Sequence, residues 1–323
     1  MYNKPLISVL IPAYNHQNYV QKTIQSIIGQ TYPNIELIVI DDGSKDLTWQ
    51  KIQEMRELCT ARFTRVHFET KPNEGTCDTL NKLLNYAKGE YIYFIASDDL
   101  AKPQALEKEF NFLSNNPAYA LCVGDNEIID GSGTPCFWDK NRDNVYEDSK
   151  ARYKTFVDFL KQERPDIDFN SSAFGTYRSL YNGNYIPNGF LIKSCVFENL
   201  RYTKKAPLED YYLMLQISKK YKMKYLDEIL FSYRWHGSNT INQTNKMNDF
   251  SKKTKDYEEE ILRNIPDSSA FFPDVIEIKH KGLLYKTQGI PYIFQILSYR
   301  KGNGKIKIIK LFHFTIAKCH KNI

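Results

Sequence analysis

The sequence predicts an α/β fold: a mostly parallel central sheet flanked by helices, followed by a helical C-terminal extension. Three observations carry that expectation. Short apolar runs alternate with helical periodicity over residues 1–125. Polar segments rich in Asp and Asn stand directly after three of those runs. The pattern then loosens, and residues 240–323 read as helical and peripheral. Strands alternating with helices imply βαβ units, in which buried strands are apolar throughout and ligands sit beyond their carboxyl ends.

The run Leu6-Ile7-Ser8-Val9-Leu10-Ile11 has the composition of a buried strand and is too short for a signal segment. Val20, Ile24, Ile27 and Ile28 then mark one face of a helix. Ile35–Ile40 reads as the second strand, ending in Asp41-Asp42-Gly43-Ser44. A helix to about Leu58 and a short strand near Val66–Phe68 follow. Leu80, Leu83, Leu84 and Ala87 form another helical face, with Gly89 as its expected C-cap. Tyr91–Ile95 is the next strand, and Pro103 is expected in the first turn of the helix after it. Beyond Asn126, Asp130–Gly133 is a turn, Trp138–Ser149 is irregular, and a helix is expected over Ala151–Gln162. Asp168–Asn188, rich in Asn, Ser, Gly and Tyr, reads as a functional loop, and helical periodicity returns over Asp210–Tyr221.

Apolar residues at 42% and charged residues at 25% match a globular chain with a sizeable core. Aromatic content is high at 14%, which suits saccharide-binding surfaces and core packing alike. Six scattered cysteines without a C-x-x-C pair read as reduced thiols in a cytoplasmic protein. No window approaches about 18 uninterrupted apolar residues, so no spanning helix is expected. Net charge is +6, yet ten Lys or Arg and no acidic residue follow Glu277, leaving −4 for the rest.

Three segments at strand ends carry the chemistry: Pro12-Ala13-Tyr14-Asn15, Asp41-Asp42-Gly43-Ser44 and Ala96-Ser97-Asp98-Asp99. Adjacent carboxylates at a strand terminus are costly without a cation. Oxygen ligands on one short loop suit Mg²⁺ or Mn²⁺ shared with substrate phosphates. The plainer alternatives are a helix-terminus cluster for Asp98-Asp99 and a simple turn for Asp41–Ser44.

Taken in order, "SVLIPAYN", "QTYPNIELIVIDDGSKD", "NEGTCDTLN", "AKGEYIYFIASDD" and "LEDYYLMLQ" resemble the family 2 glycosyltransferases with a GT-A fold. The similarity covers Leu6–Asp125 well and extends more loosely to Asn239. It implies a nucleotide-sugar-binding half over 1–125, an acceptor-binding and catalytic-base half over 126–239, and a basic extension over 240–323. Pro12, Tyr14 and Asn15 match the loop that packs on the nucleotide base. Asp41 or Asp42 matches the carboxylate that reads the base edge, Asp98 the one near the ribose, and Asp99 the metal ligand bridging to the diphosphate. The family's usual acidic residue two before Asp98 is Ala96 here, which leaves the split between ribose and metal open. Asp210 matches the general base, with Glu209 as its rival. Arg234 and His236 lie in a Tyr-Arg-x-His stretch associated with the diphosphate, His236 as a metal or phosphate contact. The resemblance implies a divalent cofactor, Mn²⁺ or Mg²⁺, and inversion at the anomeric carbon by direct displacement. The Q-x-x-R-W signature of processive synthases is absent, so transfer of a single sugar is expected.

The basic tail is expected to form a helix over Lys305–Lys318. It would either hold the enzyme on an anionic inner leaflet near a lipid-linked saccharide or pack on the catalytic domain. Two other function classes fit less well. A sugar nucleotidylyltransferase would show a Gly-rich first loop, which Pro12–Asn15 is not. A nucleic-acid binder would show a basic stripe interleaved with aromatics, absent from residues 1–125.

Overall fold

The structure, a computed structural model, describes residues 4–237, 239, 242, 244–265, 271, 278–280, 283–285, 295–301, 304–311 and 314–321. It divides into two compact units, Met1–Ile261 and Leu262–Ile323.

The first unit opens with β1 (Ile7–Ala13), α1 (Val20–Ile28), β2 (Ile35–Asp41), α2 (Thr48–Glu54), α3 (Arg56–Arg62), β3 (Arg65–Thr70), α4 (Thr76–Tyr86) and β4 (Tyr91–Phe94). Then come β5 (Leu100–Ala101), α5 (Ala105–Asn115), β6 (Tyr119–Ile129), β7 (Pro135–Trp138), β8 (Asn144–Val145), α6 (Phe156–Glu163) and α7 (Tyr177–Leu180). β9 (Phe190–Lys193), α8 (Glu209–Ser218) and β10 (Lys222–Arg234) follow, and α9 (Thr244–Arg263) runs past the end of this unit at Ile261. One ten-stranded sheet runs β3-β2-β1-β4-β9-β6-β10-β5, with β7 on β6 and β8 on β7. β3, β2, β1 and β4 pair in parallel, while β9 joins β4 and β6 antiparallel. This is the mostly parallel α/β sheet that the alternation predicts.

Packing explains the first half. Every residue of β2 is buried, as a strand covered on both faces requires. Val20, Ile24 and Ile27 of α1 join the same core, each buried side chain contributing about 1.5–3 kcal/mol. Gly89 is not a helix cap: α4 ends at Tyr86, and its C-cap Ala87 is already extended. A Cβ on Gly89 would stand 2.6 Å from the Ser8 nitrogen, so the glycine is set by its approach to β1. The helix expected through Leu58 breaks into α2 and α3 at Met55. Pro103 precedes α5, whose N-cap is Gln104.

The second half departs further from expectation. β6 and β10 are long parallel neighbours in the sheet, although β10 mixes Lys, Asp and Glu with apolar residues. The helix expected from Ala151 starts at Phe156, because Thr155 caps it by accepting from the Asp158 amide. Tyr153 and Thr155 bridge to Trp138 and Glu127 instead.

One core residue breaks the apolar rule. Glu109 of α5 is fully buried, and among the described residues neither carboxylate oxygen has a hydrogen-bond partner. Burial drives its carboxyl well above the usual range, and the nearby Gly124 and Leu191 amides offset this only in part. The folded protein therefore holds Glu109 neutral, while the unfolded chain ionises it above pH ~4.5. Stability is lost as pH rises from that value toward the folded pKa. Glu109→Met is expected to raise stability by about 1–3 kcal/mol at pH 8 and less at pH 5. Thermal melts across that range check it; identical pH profiles for the two proteins would contradict it.

From Ile278 on, the described residues of the second unit are strands. β11 (Ile278–His280) pairs with β12 (Leu283–Tyr285), and β13 (Gln295–Lys301), β14 (Gly304–Leu311) and β15 (Phe314–Lys321) form an antiparallel sheet. The helix expected over Lys305–Lys318 is thus two strands, and the helical part of the extension is α9. Lys305-Ile306-Lys307-Ile308 alternates with period two, and β-branched Ile favours the extended chain. Arg300, Lys305 and Lys321 lie opposite one another in one row across the three strands.

Candidate active site

β2, β1 and β4 are adjacent and parallel, so their carboxyl ends share one edge of the sheet. Pro12 pairs with Ile40 inside this edge, and Tyr14 just beyond it is 44% exposed. Asn15 takes a left-handed backbone, φ 53°. Its amide donates to Ser44 Oγ at 2.8 Å, and its Oδ1 accepts from the Lys45 amide at 2.8 Å. The first two strand-end segments are therefore laced into one wall.

Asp41 and Asp42 are both buried. Asp41 accepts from the Ser44 hydroxyl, from the Ser44 amide at 3.3 Å, and from Thr70 Oγ1 at 2.8 Å. Asp42 pairs with Lys71 and accepts from the Glu74 and Gly75 amides at 3.0 Å each. Each carboxylate thus knits neighbouring loops and keeps spare acceptor capacity.

The turn after β4 holds the densest electrostatics. Asp98 Oδ2 stands 3.1 Å from His236 Nε2 and 3.8 Å from His16 Nε2. His16 Nδ1 lies 2.8 Å from Ser97 Oγ, which turns its Nε2 toward Asp98. Tyr19 stacks on His236 with ring centroids 4.9 Å apart. Burial raises the Asp98 carboxyl, but the His236 hydrogen bond and the two imidazole fields outweigh it and leave Asp98 below the usual range. Burial also holds His16 below the ordinary imidazole value despite Asp98.

Asp99 has the opposite balance. Its Oδ1 accepts from the Arg234 amide at 2.8 Å, and no described residue donates to Oδ2. Burial and the Asp98 charge drive its carboxyl well above the usual range. Arg234 is placed differently from an open phosphate contact. It is fully buried, donates Nε to the Asp98 carbonyl at 2.6 Å and Nη1 to the Asp130 carbonyl at 3.1 Å, and lies 5.0 Å over the Tyr19 ring. The guanidinium braces the turn that presents Asp98 and Asp99.

Asp210 lies in the first turn of α8, beside Glu209. Its Oδ1 accepts from the Tyr211 amide at 2.6 Å and its Oδ2 from Asn184 Nδ2 at 3.0 Å. Burial raises both carboxyls; Glu209, which also feels the Asp210 charge, is pushed up to about 7. Asn184 comes from the polar loop that the sequence marks as functional.

Among the described residues, no three His, Cys, Asp or Glu side chains group to hold a metal unaided. The Asp98-Asp99 turn nevertheless fits Mg²⁺ or Mn²⁺. Asp99 is a buried carboxylate with one oxygen that receives no donor among the described residues, and Asp98 already has an imidazole beside it. Such ions are commonly held by one or two carboxylates, with substrate phosphates and water completing the shell.

The structure places His236 Nε2 3.1 Å from Asp98, the neighbour of Asp99. It adds His16, Tyr19 and Lys71, which no spacing rule singles out, and Asn184, which lay unmarked within its loop.

A model of the family described as glycosyl transferase family 2 matches residues 8–181. An uncharacterized glycosyltransferase of Haemophilus influenzae is 32% identical over 79% of this chain and 73% of its own length. The mannosyltransferase PcManGT from Pyrobaculum calidifontis, solved with GDP-Man and Mn²⁺, superposes with a TM-score of 0.53 at 16% identity, over 75% of this chain and 60% of that one. S. aureus TarS 1-349, solved with UDP-GlcNAc, superposes at 0.51 and 18% identity, over 73% and 60%. These two likenesses are of fold, and the chain spans about 60% of each of those structures. The family match and the Haemophilus relative establish that this chain belongs to glycosyltransferase family 2 and is a glycosyltransferase with a GT-A-like sheet.

Proposed function

We propose that the enzyme transfers a single sugar from a nucleoside-diphosphate sugar to a saccharide hydroxyl, by inverting direct displacement with Mn²⁺ or Mg²⁺. The observation that carries this reading is Asp99: a buried carboxylate, next to a second carboxylate, with one oxygen that receives no donor among the described residues. Asp99 and His236 would hold the ion, with Asp98 beside them. The ion, when bound, neutralises charge on the departing diphosphate. Pro12, Tyr14 and Asn15 receive the base, and the Asp41-Asp42 pair reads its edge. Asp210 accepts the proton of the attacking hydroxyl, its raised pKa bringing it nearer working pH. The ligands of the two structural neighbours, GDP-Man with Mn²⁺ and UDP-GlcNAc, support a nucleotide-sugar donor. The test is NMR of the product from an α-linked donor: a β-linkage and one added residue are expected. Retention of the α-configuration would overturn direct displacement.

We further propose a cytoplasmic enzyme whose basic C-terminal sheet meets an anionic membrane surface carrying the acceptor as a lipid-linked saccharide. Support comes from the ten cations after Glu277 and from the row Arg300–Lys305–Lys321. Each cation near such a surface adds about 1 kcal/mol, an effect that salt screens. Changing Lys305, Lys307, Lys318 and Lys321 to Gln should release the full chain from phosphatidylserine vesicles at low salt. Undiminished sedimentation with the vesicles would contradict it.

A further inference from the structure

Asn184 is held on both sides. Its Oδ1 accepts from the Ile186 amide at 3.0 Å, which fixes the amide orientation and leaves Nδ2 to donate to Asp210 Oδ2 at 3.0 Å. The segment carrying it is anchored at several points. Arg164 donates to the Gly183 carbonyl at 3.3 Å and to the Ser179 carbonyl at 2.9 Å, and lies over the Tyr185 ring at 5.1 Å. The buried Tyr185 hydroxyl accepts from the Gly175 amide at 2.8 Å. Asn188 and Asn126 exchange two hydrogen bonds, at 2.9 and 3.1 Å. From the other side, the Tyr211 hydroxyl donates to the Tyr181 carbonyl at 2.9 Å, tying α8 to the same segment.

An Asp carboxylate on a helix first turn has rotamer freedom, and a proton acceptor must hold one orientation within a few tenths of an ångström. Oδ1 is already turned back to the Tyr211 amide, so the Asn184 amide decides where Oδ2 lies. We propose that Asn184 is a positioning residue for the proton acceptor, its side-chain amide fixing the Asp210 carboxylate toward the acceptor hydroxyl. This rests on the reading of Asp210 as that acceptor.

The donated hydrogen bond favours the ionised carboxylate, against the burial that disfavours it. The other ionisable groups around Asp210 are Glu209 on the same helix and the Tyr202 and Tyr233 hydroxyls, with Cys77 facing Glu209. None of these changes when Asn184 is replaced, so a shift after replacement reports the lost donor.

The experiment is a ¹³C-carboxyl NMR titration of the full chain, with the Asp210 signal assigned by its loss in Asp210→Asn. Asn184→Ala is expected to raise the Asp210 pKa by about one unit, and Asn184→Ser, which keeps a donor, by less. Turnover of the donor the wild-type enzyme uses fastest from a panel of UDP-, GDP- and dTDP-sugars is measured in parallel. Asn184→Ala should lower kcat by on the order of tenfold and leave the donor KM within about twofold. An unmoved Asp210 pKa, or a moved pKa with unchanged kcat, overturns the proposal. Full turnover in Asp210→Asn instead overturns the reading of Asp210 and this proposal with it, a result separable from the other two.

Discussion

Asp210→Asn is expected to bind donor nucleotide as well as the unaltered enzyme and to lose turnover by roughly 10²–10⁴-fold, the range for a positioned proton acceptor. The substitution keeps an oxygen for the Tyr211 amide, so α8 should start where it does now. The pH profile sharpens the expectation. Both carboxyls of the Glu209-Asp210 pair are raised by burial, Glu209 to about 7, so the ionised acceptor is lost as pH falls through the pair's raised range. Turnover should therefore fall on the acid side above the ordinary carboxylate range of pH ~4. Steady-state kinetics between pH 5 and 9 would show the limb in the parent and its disappearance in the residual activity of Asp210→Asn. If Glu209→Gln is the crippled variant while Asp210→Asn turns over normally, the proton goes to the other carboxylate.

The second large effect belongs to Asp99. Asp99→Asn retains an oxygen for the Arg234 amide and so preserves the turn, while removing the charge a divalent ion requires. It should lower divalent-dependent transfer by on the order of 10³-fold and weaken nucleoside diphosphate binding measured with Mn²⁺ present. In EDTA, parent and variant should bind the nucleotide alike. Replacing a carboxylate whose charge is disfavoured by burial and by Asp98 with a neutral amide should also make the variant at least as stable as the parent. A variant that keeps full transfer activity would remove Asp99 from the metal site.

The first half of the molecule was legible because its physics is local. β1, β2 and β4 are covered on both faces and read as near-continuous apolar runs, and α1 and α4 each show one apolar face. β6 and β10 were not legible. Gly124, Asp125 and Asn126 interrupt β6 in sequence, and only their tertiary partners make that strand: Asn126 bonds the Asn188 backbone, and Asp125 accepts from the Val157 amide. β10 mixes charge into a strand whose middle, Asp227 to Ile229, carries register shifts against β6. The tail was misread for a different reason. Ile308, Ile309, Phe312 and Ile316 satisfy helical spacing by coincidence, while the Lys-Ile alternation beside them satisfies period two.

At the site, paired carboxylates announce themselves because two adjacent Asp at a strand end demand a cation or a network. Partners that act by proximity in space do not. His16 meets Asp98 from 82 positions away, and Asn184 meets Asp210 across a loop whose composition only marks it as polar. Arg234 is the instructive case: its placement beside a phosphate-associated His made an open contact plausible, whereas burial turned it into the brace of the Asp98 turn.

The central claim, a divalent-dependent donor site at the carboxyl ends of β1, β2 and β4, is tested most directly by isothermal titration calorimetry. UDP, GDP and dTDP would each be titrated into the full chain with Mn²⁺ and again with EDTA. At least one nucleotide is expected to bind at one site with Mn²⁺, to weaken at least tenfold in EDTA, and to lose that difference in Asp99→Asn. Equal affinity with and without Mn²⁺ for every nucleotide that binds would contradict the account.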